Sequence, residues 1–301
     1  MSDISEISKR FAIPRIVRIE PGRGGLTRLL VESDLAQAEM YLHGAHITHF
    51  QPRDAEPILF LSRQSMFESG KPIRGGIPLV FPWFGAGRGQ PRTPPHGFAR
   101  LREWQIESCD ARADGSVRIA LTFTTDEETL KLWPFTVRLR LIVIIGKTLD
   151  ATLEIKNLSQ QPMEFEEALH TYIHVGDVRK IAVNGLKDVE YADRTASGQH
   201  RKQVETPIRI AGETDRAYLN TQSACTIEDP VMKRTIRIEK ENSAVSVLWN
   251  PWAAKAMSMP DFGDDEWVSM VCLEAANALD YAVTLAPAST HRMSTRIGLA
   301  V

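Results

Sequence analysis

The sequence predicts an all-β protein, built as a large antiparallel β-sandwich or barrel. Three observations support this prediction. Apolar and polar residues alternate over many short segments, which is the pattern of half-buried strands. Turn-forming residues separate these segments at short intervals, as they do in antiparallel sheets. Candidates for amphipathic helices are few, and residues 126–132 form the best of them.

The predicted strands succeed one another along the chain with a two-residue period. From Phe135 to Ile145 every second side chain is apolar, whereas the opposite face begins with Thr136, Arg138 and Arg140. Such a segment buries one face and exposes the other. The same pattern is found in residues 116–124, 149–155, 235–238 and 244–249, with turns predicted at 146–147, 157–159 and 241–242.

One segment interrupts this alternation. Residues 70–97 contain 13 glycines or prolines among 28 residues, together with Phe81, Trp83 and Phe84. We expect a long ordered loop with apolar anchors, and such loops are usually functional. Residues 63–102 carry seven basic side chains against Glu68 alone, a local net charge of +6. Two readings remain open here, a solvated loop and the wall of a pocket for an anionic ligand.

Length and charge limit the remaining possibilities. The chain has 301 residues, with 43% hydrophobic and 25% charged residues, and no composition shift marks a linker. We therefore predict a single domain over residues 1–301, because β-sandwiches and barrels often reach this size. A net charge of −2 gives no global electrostatic footprint for nucleic acid, so no such partner is expected.

The cysteines and the N-terminal region favour a protein of a reducing compartment. Cys109, Cys225 and Cys272 are far apart and form no CxxC pair, which disfavours both a disulfide framework and a thiolate zinc site. The first residues carry acids and no apolar signal region, and the apolar run 139–145 is too short to cross a bilayer. We expect a cytoplasmic protein without a membrane partner.

Most motifs that would indicate a cofactor or a metal are missing or weak. His43 and His49 would face one way along a strand and His46 the other, so convergence on one ion would need a bend at Gly44. No nucleophile elbow or P-loop occurs, and residues 85–89 lack the strand and helix of a dinucleotide fold. The expectation is an absence of metal and of cofactor.

Two titratable residues follow apolar runs and are candidates for chemistry. Glu274 ends the run Met270–Leu273, and His170 follows Ala168 and Leu169. A buried carboxylate needs partners or a function. Taken singly, a structural ion pair and a satisfied core histidine are the simpler interpretations. Together in a cleft, the two would form a general acid–base pair, but 104 residues separate them and no local pattern shows that they meet.

Seven segments carry a further signal when they are taken in order along the chain. They are LHGAHITHFQP (42–52), KPIRGGIPLVFPWFG (71–85), HGFARLREW (96–104), LHTYIHVGDV (169–178), GETDRAYLN (212–220), LWNPW (248–252) and MPDFGDDEWVSMVCLE (259–274). Together they resemble the aldose 1-epimerase (galactose mutarotase-like) superfamily, and most closely its hexose-6-phosphate mutarotase branch. The resemblance runs from about residue 15 to residue 301. It implies a large antiparallel β-supersandwich in which a cofactor-free reaction interconverts the α and β anomers of a hexose 6-phosphate, with glucose 6-phosphate as the first candidate.

The resemblance also implies roles for individual residues. His170 matches the catalytic histidine, and Glu274 matches the catalytic glutamate. The positions that match substrate-binding residues are Arg74, His96, Arg100 and Asp215. Pro95 stands where some relatives have a substrate-contacting glutamine. Arg88 or Arg92 is expected to help Arg74 and Arg100 hold the phosphate, and Trp83, Phe84 or Trp252 could face the sugar ring.

The mechanism implied by this match is a proton relay. Glu274, as a carboxylate, would take the proton of the anomeric hydroxyl, and His170, as an imidazolium, would protonate the ring oxygen. The rate should then be bell-shaped in pH. Two rivals remain, a mutarotase of free aldoses and a non-catalytic carbohydrate-binding module. A monomer is expected, since no interface pattern stands out.

Overall fold

The computed structural model describes residues 4–300, and strands dominate this part of the chain. The helices are α1 (Ile4–Phe11), α2 (Glu127–Leu132) and α3 (Trp252–Ala256). The strands are β1 (Val17–Pro21), β2 (Thr27–Glu32), β3 (Ala36–Tyr41), β4 (His46–Pro52), β5 (Leu79–Val80), β6 (Gln105–Ala111), β7 (Val117–Thr124), β8 (Val137–Ile145), β9 (Leu149–Asn157), β10 (Met163–Phe165), β11 (Glu167–Leu169), β12 (Tyr172–His174), β13 (Ala182–Asn184), β14 (Glu190–Asp193), β15 (Gln199–Lys202), β16 (Thr214–Tyr218), β17 (Cys225–Asp229), β18 (Arg234–Glu241), β19 (Val245–Asn250), β20 (Met270–Asn277), β21 (Val283–Leu285) and β22 (Thr290–Leu299).

Two eight-stranded antiparallel sheets form the body of the fold. One, which we call the scaffold sheet, has the strand order β13-β17-β18-β22-β9-β8-β7-β6. The other, the site sheet, has the order β15-β14-β16-β19-β20-β11-β5, and β12 also pairs with β20. Strands β1 to β4 form a smaller sheet, and β10 pairs with β21. The all-β, antiparallel fold class predicted from the sequence is confirmed.

The scaffold sheet follows the predicted alternation. Strands β8 and β9 pair over nine residues each, from Val137 opposite Asn157 to Ile145 opposite Leu149. The odd-numbered residues of β8 are fully buried, and Arg138 on the other face is exposed. All five predicted strand segments lie on observed strands, and helix α2 begins after its predicted first residue, Asp126, which caps it by accepting a 2.8 Å hydrogen bond from the amide of Thr129.

Strand β20 of the site sheet is buried on both of its faces. Val271, Leu273 and Ala275 belong to the same apolar cluster as the inner face of the scaffold sheet, so the two sheets enclose one core. Because side chains alternate along a strand, Cys272 and Glu274 point away from that core. This opposite face of β20 carries the cavity described below.

The glycine- and proline-rich segment is an ordered loop, as predicted. Its only strand is the two-residue β5, and Phe81 and Trp83 are buried in the core. Gly76 has a φ of +61°, and a Cβ atom there would lie 2.1 Å from the carbonyl oxygen of Ile47. The loop can therefore lie this close to β4 only with glycine at that position. None of the helices within residues 4–300 has the length and apolar character that crossing a bilayer requires.

Candidate active site

A cavity of about 300 Å³ lies on the outer face of the site sheet. Five of the six residues predicted for the site line it, although they come from distant parts of the chain. These residues are Arg74, His96, His170, Asp215 and Glu274. The fold therefore gathers most of the predicted set in one place.

His170 and Glu274 meet at the floor of the cavity. Strand β20 carries Glu274, and His170 follows β11, where its amide donates a 3.1 Å hydrogen bond to the carbonyl of Pro78. The Nδ1 atom of His170 lies 3.4 Å from Oε1 of Glu274. Both residues are buried, and His170 Nδ1 and Glu274 Oε2 are without a hydrogen-bond partner. Buried polar atoms without a partner are rare in folded proteins, and a catalytic role is one explanation for them.

The surroundings of the pair favour the uncharged form of each group. Burial lowers the pKa of His170 well below its usual value, and the positive charges of Arg100 and Arg74 lower it further. Burial also raises the pKa of Glu274 well above its usual value, and the nearby Asp215 carboxylate adds to this rise. In the ligand-free protein these surroundings therefore favour the form in which the proton of the pair lies on Glu274 rather than on His170.

Aromatic rings hold the imidazole of His170 in place. It stacks on Tyr172 with ring centroids 4.9 Å apart and an interplanar angle of 12°. The rings of His96 and Trp249 contact it edge-on at centroid distances of 5.6 and 6.1 Å. Such packing leaves the ring little rotational freedom, which suits a group that must deliver a proton to one atom.

Arg74 enters the cavity with its guanidinium fixed by two partners. Its Nε and Nη2 atoms donate to Oδ2 of Asp261 at 3.2 and 3.0 Å. Its Nη1 atom donates to the hydroxyl of Tyr172 at 3.1 Å. Sequence analysis did not identify Asp261, although it lies in the matched segment 259–274.

Arg100 is a buried guanidinium without an acidic partner. It does not line the cavity, although its charge lowers the pKa of both His96 and His170. Its Nη2 atom donates to the carbonyl of Pro95 at 2.8 Å, its Nε atom has no partner, and it forms no ion pair within the described residues 4–300. Burial, followed by repulsion from Arg74, lowers its pKa to about 10. Pro95 thus acts through its carbonyl oxygen.

His96 forms part of the wall through an unusual backbone conformation. Its φ is +64°, and its Nδ1 atom accepts a 3.3 Å hydrogen bond from the amide of Gly85. Burial is the main reason that its pKa is well below the usual value. His96 is therefore a neutral ring that can exchange hydrogen bonds with a sugar.

Asp215 lies on β16 beside an arginine that sequence analysis missed. Arg194 follows β14 in a short helical turn, and its Nε atom is 3.4 Å from Oδ2 of Asp215. Its guanidinium also lies over the ring of Phe84, 4.9 Å from the centroid. Arg194 belongs to no motif, and only the pairing of β14 with β16 brings it to the cavity.

Most of the basic side chains in residues 63–102 do not line the cavity. The expectation that Arg88 or Arg92 joins the site is wrong for the geometry observed. Arg88 forms an ion pair with Glu164 at 3.0 Å, and Arg92 lies over the ring of Trp83. Both side chains are long and exposed, and each contacts a partner outside the cavity. The net charge of a sequence segment does not show which partners its side chains contact.

The aromatic residues and the other histidines divide in a similar way. Phe84 lines the cavity, whereas Trp83 is in the core and Trp252 packs on Trp267 at 4.3 Å. His43 and His46 each bond a separate carbonyl oxygen, those of Lys71 and Gly75, at 2.7 Å. They do not converge.

Comparison with known proteins agrees with this geometry. The family model for aldose 1-epimerase matches residues 28–298. A protein of Escherichia coli (strain K12), provisionally named glucose-6-phosphate 1-epimerase, is 37% identical over 279 residues, which are 90% of this chain and 92% of the relative. A protein of Cenchrus ciliaris with the same provisional name is 35% identical over 263 residues, 85% of this chain and 79% of the relative.

A solved structure extends the likeness to three dimensions. The crystal structure of a protein from Salmonella typhimurium, described provisionally as a mutarotase, superposes with a TM-score of 0.89 at 29% identity and covers 96% of this chain and 95% of that one. The extent of the family match, the relatives above 30% identity and the shared fold lead to one conclusion: the chain is an enzyme of the aldose 1-epimerase family.

Proposed function

We propose that this protein interconverts the α and β anomers of a hexose 6-phosphate, with glucose 6-phosphate as the first substrate to test. The observation that carries the proposal is the pair formed by His170 and Glu274, 3.4 Å apart on the cavity floor. Mutarotation needs one group that removes a proton and one that supplies a proton, and these two residues supply both. The reaction moves protons and breaks and re-forms one C–O bond without net oxidation or group transfer, so the proposal includes no cofactor.

The phosphate is assigned to Arg74, which lines the cavity, and to Arg100, which does not line it in the ligand-free protein and must become accessible when the phosphate binds. Arg100 is a buried cation without a carboxylate, and burial of such a charge is costly unless an anion compensates it. Arg74 presents a guanidinium that Asp261 holds in a fixed orientation. Arginine binds phosphate oxygens through two parallel, charge-assisted hydrogen bonds. Binding at this end would orient the anomeric carbon between the acid and the base.

The proposed chemistry opens and closes the sugar ring. Glu274 takes the proton of the anomeric hydroxyl while His170 gives a proton to the ring oxygen, and the bond between C1 and the ring oxygen breaks. The aldehyde rotates about the C1–C2 bond. The two residues then exchange roles, and the ring closes on the other face. Each positioned acid or base contributes roughly 10²–10⁴-fold to the rate.

The charges required for this step differ from those of the ligand-free pair. The pair carries one proton in either form, and burial favours the form in which Glu274 holds it. A phosphate dianion would offset Arg100 and Arg74, whose charges lower the pKa of His170. We therefore assign the imidazolium–carboxylate form to the substrate complex. The pH profile of kcat/KM should be bell-shaped with a broad top, because its acidic limb follows the lowered pKa of His170 and its basic limb the raised pKa of Glu274.

The test is anomer exchange measured by NMR on glucose 6-phosphate and on glucose, with and without the protein. Faster exchange for the phosphate alone is the expected result. Equal acceleration of both sugars would support a free-aldose mutarotase and remove the phosphate from the proposal. Acceleration of neither sugar would favour a carbohydrate-binding module.

We also propose that the chain acts as one domain, as a monomer, and in the cytoplasm. The cavity is lined by residues between Arg74 and Glu274 of one chain, so no second copy is needed to complete it. All three cysteines are free, which suits a reducing compartment. Size-exclusion chromatography with light scattering tests the monomer.

A further inference from the structure

One cysteine lies beside the proposed catalytic pair and takes no part in the mechanism above. Cys272 and Glu274 are two residues apart on β20, so their side chains lie on the same face of the site sheet. Cys272 is fully buried, next to Tyr172 on β12 and Trp249 on β19. The sequence separates this thiol from His170 by 102 positions, and pairing of β12 with β20 brings them together.

The three side chains form a compact set of donors. The nearest ligand atoms of His170, Cys272 and Glu274 all lie within 4.8 Å of one another. Tetrahedral zinc holds nitrogen, sulfur and oxygen donors at 2.0–2.3 Å, which places them about 3.5 Å apart. The imidazole and the carboxylate already have that separation, at 3.4 Å. The thiol lies within 4.8 Å of both groups, so a side-chain rotation must bring it to the same separation.

From this geometry we propose that His170, Cys272 and Glu274 form a zinc-binding site whose occupation inhibits the enzyme. Imidazole and thiolate are donors that favour zinc over magnesium or calcium. His170 Nδ1 and Glu274 Oε2 are buried and without partners, so binding an ion would not break any hydrogen bond of theirs. His170 and Glu274 also line the cavity, which gives the ion a route from solvent and leaves a fourth position open toward it.

Two of the three nearby arginines oppose such an ion only weakly, whereas Arg100, which has no acidic partner among residues 4–300, does oppose it. Arg74 is paired with Asp261 and Arg194 with Asp215. Zinc binds cysteine as the thiolate and glutamate as the carboxylate, so the thiol proton and any carboxyl proton leave as the ion enters. With both protons released, the two positive charges of the ion are balanced and the net charge of the floor is unchanged.

The expected consequence is reversible inhibition. A bound ion would occupy the lone pair of His170 and the carboxylate of Glu274, so neither could exchange a proton with the sugar. The proposed reaction itself uses no metal, although the metal site shares His170 and Glu274 with it. Inhibition rests on the proposed function, whereas binding of zinc does not.

The test uses the full chain without substrate or chelator. Zinc binding is measured by calorimetry for the wild type, for Cys272→Ser and for Cys225→Ser, a matched control because Cys225 is also buried but lies on β17 of the scaffold sheet. We expect one ion per chain in the wild type and the control, and an affinity weaker by tenfold or more in Cys272→Ser. Wild type without a zinc site, or Cys272→Ser with unchanged affinity, would overturn the proposal.

A second measurement needs no variant at the site. Cobalt(II) bound to a thiolate gives a charge-transfer absorption in the near ultraviolet, which the wild type and Cys225→Ser should show. Its absence from the wild type would overturn the proposal even if Cys272→Ser failed to fold.

The kinetic measurement is anomer exchange on glucose 6-phosphate with added zinc. Zinc should slow the wild type, and a chelator should restore it. Cys272→Ser, compared with its own rate without zinc, should need at least tenfold more zinc for the same fractional inhibition. Zinc binding with undiminished exchange would overturn the inhibitory role. If the protein accelerates no exchange at all, the proposed function fails, and the calorimetry and the cobalt spectrum still decide the metal site.

Discussion

Two buried glutamates, one on each large sheet, have opposite environments. Glu154 lies on β9 of the scaffold sheet, with Arg140 and Arg292 directly across from it on the neighbouring strands. Glu274 lies on β20 of the site sheet, and its neighbour on β19 is Val247. Their exposed fractions are similar, 6% and 2%. Solvent exposure therefore does not distinguish them, whereas the depth of burial, which is much greater for Glu274, and the partners do.

The surroundings of the two glutamates shift their carboxyl pKa values in opposite directions. Burial alone would raise the pKa of Glu154, but hydrogen bonds from Arg292 and Arg140 lower it. Glu274 has no cationic side chain bonded to it, so burial and Asp215 raise its pKa. A buried acid that the fold leaves without such a bond costs stability. We interpret this cost as the mark of a group kept for chemistry.

The largest expected effect comes from exchanging each glutamate for its amide. Glu274→Gln keeps the shape of the side chain but removes the proton acceptor, so anomer exchange should fall by roughly 10²–10⁴-fold with the fold intact. Glu154→Gln should keep the rate and lower the free energy of unfolding by about 1–3 kcal/mol, because it weakens two charge-assisted hydrogen bonds. NMR exchange and urea unfolding measure the two effects. If Glu274→Gln kept a near-normal rate, the catalytic assignment would be wrong.

A second expected effect concerns the buried cation of the site sheet. Arg100→Met removes a guanidinium without an acidic partner, so kcat/KM for glucose 6-phosphate should fall by roughly 10–100-fold, the value of a lost charge-assisted contact. Exchange of glucose should change far less, only through the pKa of His170, which the charge of Arg100 lowers. Unfolding should become harder by about 1–3 kcal/mol, since the buried charge is gone. Equal losses for both sugars would argue against a phosphate contact at Arg100.

A smaller effect is expected at the acid that holds Arg74. Asp261→Asn should raise KM for glucose 6-phosphate by about tenfold with little change in kcat, because the guanidinium loses its fixed orientation. Asp265→Asn is the matched control, since Asp265 forms an exposed pair with Arg63 in the same segment. A change in kcat alone would give Asp261 a role other than positioning.

The smallest effect is the pH dependence of stability, which should have opposite signs for the two glutamates. Glu154 has a lowered pKa, so its contribution is present above the unfolded pKa of about 4.5 and is lost as the pH falls through the folded value. Glu274 has a raised pKa, so its contribution is present below about 4.5 and is lost as the pH rises toward the folded value. The limiting slope is about 1.4 kcal/mol per pH unit for each group.

Unfolding of the wild type and the two amide variants between about pH 2 and pH 8 measures this difference, because the pKa of folded Glu154 lies below 4.5. The advantage of the wild type over Glu154→Gln should shrink in acid. The wild type should lose stability relative to Glu274→Gln as the pH rises. Parallel curves for the two variants would contradict the assigned pKa directions.

Strands with a clear alternation of apolar and polar residues could be predicted from the sequence. The alternation in residues 135–145 predicted strand β8, because a two-residue period is set by the backbone of each strand. Five of the six site residues that the family resemblance implies line the cavity. Arg194 and Asp261 were missed, because each acquires its role from a partner that is distant in the sequence, Asp215 and Arg74.

The sequence by itself determined the strands with clear alternation, such as β7, β8 and β9, and which of their faces is apolar, since these follow from residue period and turn chemistry. Only the tertiary structure decided which side chains meet. The approach of His170 to Glu274 and Cys272, and the absence of an acid beside Arg100, depend on strand order and register across the site sheet. Strand pairing joins positions more than 100 residues apart, and no local period carries that information.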